Sequence, residues 1–250
     1  MRNRDIPLIS VLIILFFFTI EFNAFGYIDV KSINPNPVVI GAMYNGVKVH
    51  VKGEIPADAD LIIKVIGGEK DTHFKKKGKV WGILWMNTDD VVFTNLPSLY
   101  LVYAGNFGSS VIREFGFNSL KKKIRIKTHS QDKRFLFNEL LKLKKKEGLY
   151  SIKKGSIRYK RLGHKKEFSC DIILPPKLLP GRYKLNFIAI KDGKILQDST
   201  SFLRVKLSGL PKLISYLAFQ HATIYGIIST LIAIVAGLFI GIIFKSSGAH

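Results

Sequence analysis

Hydrophobic and polar positions alternate with period two through Val47-Lys48-Val49-His50-Val51-Lys52, which predicts a half-buried strand. Asp60 to Ile66 is a second extended run, set off by the turn residues Pro56-Ala57-Asp58. Val80 to Met86 is apolar on both faces, with Trp81, Ile83 and Trp85 on one side, and reads as an inner strand. Asn87-Thr88-Asp89-Asp90 breaks it and Val91 to Phe93 resumes. Phe168, Cys170, Ile172 and Leu174 share one face of a further strand, so the lone Cys170 reads as a buried, inert thiol. Gly181 to Ile190 and Leu196 to Lys206 flank Lys191-Asp192-Gly193-Lys194, and Asp-Gly between β-rich runs signals a hairpin. The period changes once: Asp132 to Glu147 carries Leu136, Leu140 and Leu143 at helical spacing, with Asp132 as N-cap and Gly148 as the stop. Short strands at close spacing predict a mainly β chain, an Ig-like antiparallel sandwich (one or two) with a helical insertion.

Two long apolar segments bracket these strands. Met1-Arg2-Asn3-Arg4 and the apolar Leu8 to Ile20 form the n- and h-regions of a signal peptide over 1–26, with Ala24-Phe25-Gly26 as the cleavage site. Near the other end, Ile224 to Phe244 holds 21 residues without a charge. At about 1.5 Å per residue it is long enough for a hydrocarbon core of about 30 Å. The expected organisation is a signal peptide (1–26), an N-terminal β-rich region (27–105), a basic helical insertion (106–150) and a C-terminal β-rich region (151–207). A juxtamembrane segment (208–223), a transmembrane helix (224–244) and a short cytoplasmic tail (245–250) follow. Ser229, Ala233, Gly237 and Gly241 recur every fourth residue, so the span presents one face of small side chains on which a second helix can pack closely. His221 and Tyr225 are expected at the membrane interface.

The formal charge of +21 is concentrated: Lys121 to Lys166 holds 18 Lys and Arg against Asp132, Glu139 and Glu147. Such a region can meet an anionic lipid surface or steer acidic partners. Lys outnumbers Arg 14 to 4 there, which fits a solvated face better than a site built from bidentate forks. A secretion signal argues against nucleic acid as a partner. With one cysteine there is no intramolecular disulfide.

Six ordered motifs resemble a transmembrane protein family first described from alphaproteobacteria. They are Gly82-Ile83-Leu84-Trp85-Met86-Asn87-Thr88-Asp89, Leu96-Pro97-Ser98-Leu99-Tyr100, Leu143 to Tyr150, Pro180-Gly181-Arg182-Tyr183, Lys191-Asp192-Gly193, and His221-Ala222-Thr223-Ile224-Tyr225-Gly226. The resemblance implies a signal peptide, a β-rich periplasmic domain and one C-terminal helix in the inner membrane. It also implies a transport accessory role, because members of that family are encoded near permeases resembling sulfite exporters.

Trp85, Asn87, Asp89, Pro97 and Tyr100 together suggest an interaction surface, since aromatic rings beside a polar loop give large contact area. Catalytic and metal signatures are missing. His50, His73, His129, His164, His221 and His250 are scattered, and there is no GxSxG elbow, Walker loop or GxGxxG. The chain is therefore expected not to be an enzyme and to need no cofactor. The expected role is a membrane-tethered binding or scaffolding protein, an accessory subunit beside an integral membrane permease or a second copy of itself. The alternatives are a tethered receptor for a small anionic ligand and an unrecognised envelope enzyme.

Overall fold

The computed structural model describes residues 28–80, 83–128 and 132–245; the segment 1–26 expected to be a signal peptide and the residues beyond Lys245 lie outside them, as do Trp81, His129 and His250. Strands β1 (Asp29–Asn34), β2 (Val38–Ile40), β3 (Val47–Pro56) and β4 (Asp60–Ile66) come first, then the long pair β5 (Glu69–Val80) and β6 (Leu84–Pro97), and β7 (Tyr100–Ala104). Helices α1 (Ser109–Phe115) and α2 (Phe117–Lys123), strand β8 (Arg125–Lys127) and helix α3 (Lys133–Lys146) form the middle. Then follow β9 (Tyr150–Lys153), β10 (Ile157–Leu162), β11 (Lys165–Leu174), β12 (Gly181–Lys191) and β13 (Lys194–Leu207), and finally helices α4 (Leu210–Gln220) and α5 (Ala222–Lys245).

These strands build three sheets: β1-β3-β11-β10, β2-β13-β12-β4-β7-β9, and β5-β6-β8. Strands from both sides of the helical segment are combined in each of the first two sheets. The first sheet alternates buried and exposed residues along β3 and β11, so it offers one face to water. Its inner face meets the second sheet, where Phe168 of β11 packs on Phe187 of β12 with ring centroids 6.0 Å apart. Tyr103 of β7 ties the two layers, its hydroxyl accepting from the Ile173 N–H at 2.8 Å.

The second sheet differs because β4 and β7 are buried on both faces. Leu61, Ile63 and Val65 face the first sheet, while Ile62, Lys64 and Ile66 point the other way. The outer layer over them is α1 and α2, anchored by Tyr100, whose hydroxyl contacts the Gly116 carbonyl at 3.1 Å and Ser119 Oγ at 2.9 Å. Most pairings are antiparallel, but β2 joins β13 and β9 joins β7 in parallel, closing both edges of this sheet.

Helix α3 matches its sequence signal: the Asp132 carboxylate accepts from the Phe135 N–H at 2.9 Å, Leu136, Phe137 and Leu140 are buried, and Gly148 ends the turn at φ +73°. Asp132→Ala should cost about 1 kcal/mol, read as a lower thermal midpoint with unchanged circular dichroism at low temperature. The Asp192-Gly193 hairpin also forms, both residues having positive φ as a type I′ turn demands.

The stretch from Val80 to Met86 is a correction. It is the far end of the β5–β6 hairpin, not an inner strand, with Ile83 84%, Leu84 59% and Met86 53% exposed. Nor does Asn87 to Asp90 break the strand: β6 runs through it, and a register shift between the Lys76–Asp89 and Lys77–Asn87 pairs absorbs one residue as a bulge.

Candidate functional site

Two features stand apart from an otherwise apolar core and a solvated surface. The first is α5, which is uncharged from Ala222 to Phe244 and long and apolar enough to cross a membrane, with none of that window buried in the protein. Its 24 residues span about 36 Å at 1.5 Å per residue. Ser229, Ala233, Gly237 and Gly241 fall on one face by their four-residue spacing, and a Cβ added at Gly237 or Gly241 would meet nothing within 4 Å. His221 sits at the break between α4 and α5, its ring 5.1 Å from that of Tyr216 and its Nε2 3.0 Å from the Tyr216 hydroxyl. Tyr225 begins the next helical turn, its N–H donating to the His221 carbonyl at 3.0 Å.

The five residues expected to share an interaction surface are not brought together. Asn87 is exposed near the hairpin end, and Asp89 accepts from the Thr128 hydroxyl at 2.6 Å. Pro97 and Tyr100 are buried at the opposite end of β6, Tyr100 beneath α1 and α2. Trp85 lies on β6 near the exposed end, and its side chain is outside the described residues.

The second feature is Lys64, the one buried charged residue among the described residues, at 8% exposure. It lies on the outer face of β4, directly opposite Asn186 of β12. Its ammonium donates to Ser119 Oγ at 3.4 Å and stands 5.1 Å from the centre of the Phe115 ring. None of the ion pairs formed by the described residues includes it. Burial, with the nearby Lys123 charge adding to it, pulls its pKa down to about 8. Lys64 borders a cavity of about 210 Å³, together with Asn95, Tyr100, Ser119, Lys123 and Asn186, with Glu69 as the only carboxylate in the lining. No sequence pattern marks Lys64, because a lysine within Asp60 to Ile66 looks like any strand position turned to water.

Cys170 is buried and burial pushes its thiol up to about 12, so it has little thiolate character. On the exposed face of the first sheet Asp171 is held below the usual carboxylate range, chiefly by its hydrogen bond to His50 at 2.7 Å and then by the charge of Arg158. Among the described residues no group of three or more His, Cys, Asp or Glu is placed to hold a metal ion. No curated protein sequence matches this chain. The family model described as "Putative transmembrane protein" (Alph_Pro_TM) matches residues 30–246, from the first strand through the apolar helix, and the chain belongs to that transmembrane protein family.

Proposed function

We propose that this protein is a non-catalytic binding or scaffolding subunit, held on the inner membrane by α5 with its β-rich domain in the periplasm, and acting as an accessory to an integral membrane complex. The observation that carries this reading is the small-residue face of α5, four positions deep, on which an added Cβ at Gly237 or Gly241 meets nothing within 4 Å. In lipid a helix gains nothing by hiding apolar side chains, so association rests on close backbone approach, and a Ser-Ala-Gly-Gly face allows it. Helix α4 supports the same placement. Its residues Leu210, Leu213, Ile214, Tyr216 and Phe219 are all more than half exposed, which suits the headgroup boundary. A signal peptide ahead of the domain favours the outward orientation, because long domains cross largely regardless of their charge.

Crosslinking native membranes and purifying the tagged protein tests the reading. We expect an integral membrane partner, or a second copy of the chain, to be recovered with the native helix. It should be lost when Gly237 and Gly241 are both replaced by isoleucine, while insertion is unaffected. Equal recovery with the doubly substituted helix would sink the helix-contact basis of the proposal.

A further inference from the structure

We propose that the cavity beside Lys64 is a binding site for a small oxyanion or carboxylate, held between β4, β12 and α2. This goes beyond the tethering role, which needs no ligand.

The argument starts from donors and acceptors. A buried ammonium carries three N–H donors and is rarely tolerated without a counter-charge or a full set of acceptors. Lys64 has one protein acceptor, the 3.4 Å contact to Ser119 Oγ, and one aromatic ring. Ser119 adds no charge: it contacts the Phe115 and Gly116 carbonyls and the Tyr100 hydroxyl within its own network. Directly across the ladder, Asn186 accepts from Thr200 Oγ1 at 3.5 Å through its amide oxygen. Its amide nitrogen, partly exposed on the same face as Lys64, can turn a second donor to the cavity. Lys123 brings another positive charge to the lining. Donors and positive charge thus converge on the cavity, and no ion pair among the described residues neutralises Lys64.

Glu69 is the competing explanation, as the one carboxylate in the lining. It is exposed at the start of β5 and makes no ion pair with Lys64, so the interior stays positive. Size narrows the ligand. With roughly 30 Å³ per water, a space of about 210 Å³ holds some seven waters, below the 300 Å³ or more of sites for drug-sized ligands. A compact anion with several acceptor oxygens fits that volume and that donor set. The basic run from Lys121 to Lys166 contributes only Lys123, so most of that charge serves another surface.

The test is calorimetric titration of the detergent-solubilised full chain at pH 7 in chloride-free buffer, with sodium sulfate, sodium phosphate and sodium acetate as separate probes. We expect saturable binding of at least one, weakened ten-fold or more in Lys64→Met. Asn186→Asp, which places a carboxylate opposite the ammonium, should also abolish binding while raising the thermal midpoint, and it carries the test if Lys64→Met fails to fold. Preference for sulfate or phosphate over acetate would make the ligand an inorganic oxyanion, and the reverse a carboxylate. Flat titrations of the native chain with all three probes, or binding that survives both substitutions, would overturn the proposal.

Discussion

Replacing Phe168 by alanine is expected to lower stability by about 3–5 kcal/mol, the range for truncating a buried aromatic ring. The ring is fully buried at the centre of the shared core, against Phe187. It also occupies space that β3 leaves open. Gly53 pairs with Phe168 across the ladder, and a Cβ at Gly53 would lie 2.7 Å from the ring. That side of the cavity is rigid strand backbone, so it cannot collapse onto the void. For a domain of this size the loss corresponds to a drop in thermal midpoint of roughly 10 °C. Melting of the full chain in detergent would show it, with Phe202→Ala, at a site 41% exposed, as the control expected to shift far less. Equal shifts for the two variants would mean that the ring contact does not hold the sheets together.

Lys64→Met is expected to act in the opposite direction. The folded-state pKa of about 8 lies below the ordinary 10.5, so holding the charged form in the fold costs about 3 kcal/mol at 1.36 kcal/mol per unit. Below about pH 8 both states bind the proton and the whole cost is present. Between about 8 and 10.5 the unfolded chain keeps the proton that the folded chain has released, so stability rises with pH. The methionine variant should therefore melt higher at pH 7 and lack the rise that this group contributes across that window. Paired melts from pH 7 to 10 would measure both effects. A variant that is less stable at pH 7 would mean that the Ser119 and Phe115 contacts outweigh the cost of burial. Such an expensive cation is what a site retained for a ligand, and not for stability, would contain.

Where local chemistry decided the outcome, the sequence was readable. Alternation marked β3 and β11, Asp132 and Gly148 bounded α3, Asp192-Gly193 set a hairpin, and a charge-free run marked α5. The failures share one cause, which is that periodicity does not say what lies across from a face. Val80 to Met86 has the composition of a core strand, yet Ile83, Leu84 and Met86 are more than half exposed near the far end of a hairpin. Tyr100 reads from sequence as an aromatic ring beside a polar loop, but two short helices close over it. Those helices, seven residues each, are too short to show a helical period, so within the helical insertion expected over 106–150 the pattern marks α3 alone. Lys64 was hidden for the same reason, since the layer that buries it comes from residues 50 positions downstream and more.

The pairing of early with late strands in the first two sheets also dictates an order of events. His50 and Asp171, which face each other across β3 and β11, are 121 positions apart, and β4 depends on β12 in the same way. Strands β3 and β4 gain their central neighbours only when β11 and β12 have been made, so folding of these two sheets is dominated by distant contacts and should be slow. Strand β13, which completes the second sheet, runs within two residues of α4 and so of the membrane segment. The domain therefore matures beside the lipid surface and only after nearly the whole chain is in place. Until then its apolar strands are open to any neighbour, which makes the wait for the final hairpin the vulnerable period in the life of this protein.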